Sequence, residues 1–241
     1  MSRPSSRAAR AAGWMGCACA LWSVCASAAS IEVNPVRLTL SAAQPVAALT
    51  VRNAGTQPVG LHLQVMAWTQ VNATDQYAAT RELLVTPPIF MLAPGAAQTV
   101  RVGLRRAIDA ERELAYRLYV QEIPDSAAPQ GSGVRIALRI GVPVFVPPRT
   151  PAAPLLSWRA KQEASGIVLH TENAGKAHAR IVELKLIAGS QTVAETSGAY
   201  VLPGQAWRWR LAGSRMTVPA APLRVTVKTD LGSSDADVTL D

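Results

Sequence analysis

Val134-Arg-Ile-Ala-Leu-Arg-Ile-Gly-Val-Pro-Val-Phe-Val146 alternates for thirteen residues. Successive side chains of a strand point to opposite faces, so Val134, Ile136, Leu138, Ile140, Val142, Val144 and Val146 share one side. At about 3.3 Å per residue the run reaches roughly 40 Å, twice the usual strand. That is too long to be used up inside one sandwich of ordinary size. Its first part is expected to project bulky apolar side chains at or past a sheet edge. Such an edge invites pairing with other chains and is normally suppressed. Here the opposite face carries Arg135 and Arg139, which limit self-association, and Pro143 has no backbone donor for a ladder. The run is either a long strand shared by both ends of its own sandwich or a strand offered to another protein by β-augmentation.

Shorter alternating runs lie upstream, at Ile31–Leu40, Ala47–Arg52, Val59–Trp68, Gln98–Leu104 and Tyr116–Ile123. Turn residues punctuate them: Ser-Ala-Ala-Gln-Pro at 41–45, Asn-Ala-Gly-Thr-Gln-Pro at 53–58 and Ala-Pro-Gly at 93–95. Asp109–Leu118 comes closest to a helical stripe, but Tyr116–Ile123 is better read as a strand. Downstream, residues 147–154 hold four prolines in eight positions, a stiff connector. Alternation resumes at Ile167–Thr171, Ala179–Leu186, Ala206–Leu211 and Leu223–Lys228, and Asn173-Ala-Gly175 repeats Asn53-Ala-Gly55. Short strands bounded by such turns predict an all-β protein of two related sandwiches. The expected boundaries are residues 29–147 for the first domain, 148–154 for the linker and 155–241 for the second.

Composition agrees. The 241 residues are 49% hydrophobic, which suits packed cores, and 17 prolines with 16 glycines speak against a long-helix protein. Residues 1–28 read as a cleaved secretory signal: Arg3, Arg7 and Arg10, an apolar stretch from Ala11 to Val24, then Ala26-Ser-Ala28. The apolar stretch is too short to span a bilayer comfortably, so no stable membrane insertion is expected. Cleavage removes three arginines and no acid, lowering the formal charge from +8 to +5. It also removes Cys17, Cys19 and Cys25, leaving no cysteine for a disulfide. The expected compartment is the periplasm, where nucleic acid is not a partner.

Chemistry-bearing motifs are sparse. There is no G-x-S-x-G elbow and no paired-carboxylate motif, and the histidines are only His62, His170 and His178. No catalytic residue, cofactor or metal site is therefore expected. His178 is expected to make a structural hydrogen bond. Two binding roles stay open: copper, for which His62 and Met66 lie about 13 Å apart along a strand, and carbohydrate, with Trp207 and Trp209 on one strand face. Core packing is the alternative for all four.

The order and spacing of several segments resemble one family, the periplasmic chaperones of the chaperone–usher pilus pathway. These segments are Pro35-Val-Arg-Leu, Val51-Arg-Asn-Ala-Gly, Trp68-Thr-Gln, Pro87-Pro88, Pro94-Gly95 before Val100-Arg-Val102, and Tyr116-Arg-Leu-Tyr-Val-Gln-Glu-Ile-Pro124. Asn173-Ala-Gly-Lys-Ala-His178 and Tyr200-Val-Leu-Pro-Gly204 continue the match, which covers essentially all of the chain after residue 28. The resemblance implies two immunoglobulin-like domains at an angle with a cleft between them. Residues 134–146 fall where the family's donor strand lies, so Val134, Ile136, Leu138 and Ile140 are the expected donor face. By donor-strand complementation this face would bind, fold and cap pilin subunits, the expected partners, for delivery to the outer-membrane usher. The free protein would be capable of self-association through the same edge.

In the better-known branch an arginine of the first strand and a lysine of the donor strand bind the subunit's terminal carboxylate. Arg37 matches the arginine, but Pro143 stands at the lysine position. The Gly141-Val-Pro-Val-Phe pattern resembles the archaic branch, which also serves spore-coat-U-like pilins, and the short segment 124–133 is similar to those of rod-like or archaic pilus assembly. There Arg117 is the substitute anchor, since a guanidinium grips a carboxylate with two parallel hydrogen bonds. Otherwise Arg37 is a solvated strand residue, and Arg117 is an ion-pair partner of Glu122 or another acid. Arg101 has a weaker claim.

Overall fold

A computed structural model describes residues 30–105, 107–108, 111–124, 137–163, 166–212 and 222–240. The proposed signal segment 1–28 and the donor-face residues Val134 and Ile136 lie outside them. Among the described residues every element is a strand. The first ten are β1 Ile31–Asn34, β2 Leu38–Thr39, β3 Val46–Asn53, β4 Val59–Val71, β5 Thr74–Ala79, β6 Leu83–Thr86, β7 Ile89–Leu92, β8 Ala97–Leu104, β9 Leu114–Ile123 and β10 Arg139–Val146. They form two sheets, one of order β1-β3-β8-β6 and one of order β2-β10-β9-β4, with β5 and β7 both pairing along β4. The other seven are β11 Leu156–Glu163, β12 Gly166–Asn173, β13 Ala179–Ala188, β14 Gln191–Val201, β15 Ala206–Ala212, β16 Leu223–Thr229 and β17 Gly232–Leu240. Their order is β14-β13-β16-β17-β11-β12-β15, with β17 and β11 meeting in parallel only at Arg159–Thr239 and Ala160–Leu240.

Each group of strands closes on its own core, giving two immunoglobulin-like β-sandwiches. Leu49, Val51, Leu61, Val102, Leu118 and Val144 are among those that fill the first. Trp158, Leu169, Ile181, Leu184, Val225 and Val227 are among those that fill the second. The period-two reading holds where one face is buried: β3 alternates exposed and buried through all eight residues.

The run Ile31–Leu40, read as a single strand, is in fact two. β1 pairs antiparallel with β3, whereas β2 pairs parallel with β10 in the opposite sheet. Pro35 lacks the N–H needed to continue the first ladder, and the chain crosses between sheets over residues 35–37.

The Asn-Ala-Gly repeat is structural. Asn53 is fully buried; its Nδ2 donates to the carbonyls of Gln57 (2.7 Å) and Leu92 (3.1 Å), and its Oδ1 accepts from Gly55 N (2.9 Å). Asn173 repeats the set with Ala177 O (2.8 Å), Val201 O (3.0 Å) and Gly175 N (3.0 Å). The backbone carbonyls of both asparagines accept from the glycine of a Pro-Gly turn, Gly95 and Gly204, each at 2.8 Å. Each sandwich therefore ties two loops together at one buried amide, which explains why the motif recurs.

Asn173 Oδ1 also accepts from Leu155 N at 3.0 Å, so the proline-rich connector is seated rather than bare. A Cβ on Gly175 would lie 2.3 Å from Ala153 O and 2.5 Å from Leu155 N, so only glycine allows this close backbone approach.

Candidate functional site

The face of the six-stranded sheet that points away from the first core carries the site. β10 presents Arg139, Gly141, Pro143 and Phe145 there, since Val142, Val144 and Val146 point inward. Register places Gly141 opposite Tyr119 and Pro143 opposite Arg117 on β9. Arg117 lies beside Met66 on β4, and Trp68 on β4 lies beside Tyr77 on β5.

Four rings from both sandwiches gather at one end of this face. Trp68, Phe145 and Leu202 form a buried apolar cluster, with Ala115 and Tyr200 packed on it. The Trp68 ring meets Phe145 at 5.9 Å and Tyr200 edge-on at 5.3 Å. His178 stacks on Phe145, and its Nδ1 lies 2.6 Å from Glu113 Oε1. The same oxygen accepts from His178 N at 3.1 Å, while Glu113 N donates to Lys176 O at 2.9 Å. Gln70, also buried, accepts from Leu202 N at 2.9 Å and donates to Tyr200 O at 2.8 Å. The junction thus joins apolar packing to buried, satisfied polar groups, each of which would be costly to leave unpaired.

Arg117 lies over this cluster. Its guanidinium carbon sits 4.0 Å from the Trp68 ring centroid, 6.0 Å from Tyr77 and 5.9 Å from Tyr200. The indole is held by Asp75, whose Oδ1 accepts from Trp68 Nε1 and Gln70 Nε2, both at 2.9 Å. Tyr77 Oη donates to Asp75 Oδ2 at 3.2 Å. Burial pushes the Tyr77 phenol up to about 12, against the pull of Arg117 and with the Asp75 charge adding to the rise. Among the described residues Arg117 makes no ion pair. The Glu122 alternative does not hold: its Oε2 accepts from Leu138 N at 3.2 Å, on the strand side. The aromatic face orients the guanidinium, and the Tyr77 phenol also interacts with one of its N–H groups.

Arg37 is not simply solvated. It forms an ion pair with Asp230 of the second sandwich across the junction. Arg101 is exposed on β8, in the other sheet, away from these groups. Trp209 is buried and stacks on Trp158 at 5.8 Å, and Trp207 packs against the same core, so neither forms a sugar platform. His62 and Met66 share the outer face of β4, four residues apart.

The edge of β10 completes the site. On one side β9 covers it throughout; on the other β2 pairs only with Val144 and Phe145. Phe145 O accepts from Leu40 N at 2.9 Å, and Leu138 O accepts from Glu122 N on the β9 side. By alternation Arg139 and Gly141 aim their backbone groups at the unpaired edge. Burial fades along the inward row: Val142, Val144 and Val146 are at most 1% exposed, whereas Ile140 and Leu138 are only half-buried. Ile140 still packs against the first core. The sequence missed Trp68, Tyr77 and Tyr200 as a group, because they come from three strands and only folding assembles them.

Two immunoglobulin-like sandwiches joined through a packed junction, with an open strand edge beside it, form a fold of the pilus-assembly chaperone class. Residues 30–152 match the family of pili and flagellar-assembly chaperones, PapD N-terminal domain, and the chain belongs to that family. No curated protein sequence matches it. Solved structures share the fold. A chain of the CsuC–CsuE chaperone–tip adhesion subunit pre-assembly complex, from archaic chaperone–usher Csu pili of Acinetobacter baumannii, superposes with TM-score 0.69 at 19% identity, over 88% of this chain and 99% of that one. The YadV chaperone gives 0.63 at 15% identity over 86% and 98%. A chain of the Salmonella enterica SafA pilin–SafB chaperone complex gives 0.60 at 17% over 86% and 96%.

Proposed function

We propose that this protein is exported to the periplasm with loss of residues 1–28, and that it binds, folds and caps pilin subunits by donor-strand complementation before passing them to an outer-membrane usher. One observation carries the reading: the inward row of β10 loses its own core towards Leu138 just where the strand's outer edge lies open. A subunit lacking a strand would pair with that edge and take up Leu138 and Ile140 together with Val134 and Ile136. Each large side chain so buried is worth about 1.5–3 kcal/mol, so a few suffice for a stable complex. The complexes formed by the structural neighbours, CsuC–CsuE and SafA–SafB, support pilin subunits as the partner class.

Arg117 is assigned as the anchor for the subunit's terminal carboxylate. Pro143 stands opposite it in register, so the cation that β10 lacks is supplied one strand away. Arg37 is assigned to holding the junction through Asp230. The test is co-expression with pilin subunits from the same cell. Replacing Ile136 and Leu138 by Asp is expected to abolish subunit capture while the chaperone stays folded; retained capture overturns the donor-strand reading. Ile140 is avoided because its loss would also damage the first core.

A further inference from the structure

The outer face carries a second guanidinium that the carboxylate anchor does not use. Arg139 lies over Tyr119, its guanidinium carbon 3.8 Å from the ring centroid. It is exposed and, among the described residues, makes no ion pair. Tyr119 in turn meets Tyr77 edge-on at 5.8 Å, and Tyr77 lies beneath Arg117. Arg139 and Arg117 thus stand on one continuous aromatic strip, whose far end at Tyr200 also carries Arg180, 6.0 Å from that ring. Gly141 keeps the strip open: a Cβ there would crowd Tyr119 Cε1 and Arg117 Cδ, both at 3.3 Å. Arg139 caps Tyr119, in the row of Gly141, whereas the Arg117 stem passes beside Gly141 and its guanidinium reaches Trp68, in the row of Phe145. Those rows are four residues apart on β10, about 13 Å by strand rise. Arg139 also directs its backbone at the open edge, so a strand laid there passes beside its side chain.

We infer that Arg139 is a second anion-binding point, and that the strip selects an extended segment with two carboxylates about 13 Å apart. Resting on the reading above, one is the free chain terminus at Arg117; the other is an acidic side chain four residues before it, at Arg139. In an extended chain residues four apart share a face at that same distance, so one segment can engage both. The charge complementarity is specific, since Arg117 and Arg139, without ion pairs among the described residues, discriminate against a segment with an uncharged residue at the inner position.

The probe is a synthetic ten-residue peptide of alternating Val and Thr with Glu four residues before a free carboxyl end. It is compared with its Gln version and its amidated version by calorimetry at low salt, using the protein purified from periplasm. The Glu peptide is expected to bind about fivefold tighter than the Gln peptide, the upper range for an exposed charge pair. Arg139→Ala and Arg139→Gln are expected to erase that difference and keep the preference for a free over an amidated end; Arg117→Ala is expected to do the reverse. If Glu and Gln peptides bind wild type equally while amidation still weakens binding, the second point is overturned and the anchor stands. A Glu preference that survives Arg139→Ala also overturns it. If neither group matters, or no peptide binds, both readings fall.

Discussion

The imidazole of His178 lies flat on the ring of Phe145, with centroids 3.6 Å apart and planes 8° from parallel. The two residues belong to different sandwiches, and Glu113 fixes the imidazole at its edge through Nδ1. Glu113→Ala would leave both the ring nitrogen and the His178 N–H without their acceptor. The expected cost is about 1–3 kcal/mol, and in calorimetry the variant is expected to melt in two transitions where the wild type is expected to melt in one. Glu113→Gln, which keeps an acceptor, is expected to lose less. An unsplit and unshifted transition in Glu113→Ala would remove the carboxylate from the junction's supports.

Arg117 and Arg37 are expected to separate by assay. Arg117→Ala is expected to lower subunit affinity roughly ten- to a hundredfold, the worth of a hydrogen-bonded charge at about 1.5–3 kcal/mol. It should leave stability near wild type, and Arg117→Lys should recover only part of the binding because an ammonium cannot make the paired bonds. Arg37→Ala is expected to loosen the junction, visible as a larger radius in solution scattering, with a smaller loss of affinity. Subunit binding unchanged by Arg117→Ala and lost with Arg37→Ala would reverse the two assignments.

The paired asparagines offer an internal comparison. Asn53→Ala and Asn173→Ala each strip two backbone carbonyls of their donor, one buried and one part-buried. About 2 kcal/mol or more of unfolding free energy is expected to be lost in each case. Asn173→Ala should cost more, because it also releases Leu155 N at the connector. Denaturant titration of the two variants ranks them directly, and a larger loss for Asn53→Ala would contradict the connector's share.

Gly175→Ala tests the seating of the connector by backbone alone. The added methyl cannot be accommodated by a side-chain shift, because the atoms it meets are Ala153 O, Leu155 N and Pro154 C. A loss of about 1–3 kcal/mol is expected, together with faster proteolysis within 147–155. Wild-type stability and protease resistance would show that the connector moves aside freely.

Tyr77 supplies a pH test. Its phenol is raised to about 12 in the folded protein from an ordinary value of 10. A raised acid holds its proton more tightly when folded, so its contribution is fully present below pH 10 and is lost as pH climbs towards 12. Stability measured from pH 9 to 12 should therefore fall more steeply for wild type than for Tyr77→Phe. Parallel curves would mean that the phenol does not sense burial in the way its position implies.

The sequence made some elements legible and concealed others for physical reasons. β3, β4, β9 and β10 bury one face against a core, so their alternation shows. β5 leaves five of its six residues exposed and carries no period to read, yet it supplies Tyr77 and Asp75 to the site. The crossing at Pro35 was signalled by the proline itself, but the alternation on either side of it masked the change of sheet. Arg37 and Asp230 stand 193 positions apart, and no spacing rule links them. Conversely, the recurrence of Asn-Ala-Gly was visible at once because a buried amide that ties two loops tolerates few substitutes. Ile140 lies in β10 and Leu138 just before its first residue, while Val134 and Ile136 lie outside the described residues; the donor role of all four stands as a proposal.

β2 is only two residues long, yet it gives the neighbouring track a terminus. A foreign strand advancing along β10 finds backbone partners at Arg139 and Gly141, then meets Pro143, which has no hydrogen to offer, and beyond it the seat already held by Leu38 and Thr39. Advance halts there by obstruction, one strand away from the Arg117 guanidinium. If the proposed donor-strand function holds, this stop would measure where a guest's last residue falls, and a guest one residue too long or too short would be out of step before any side chain is compared.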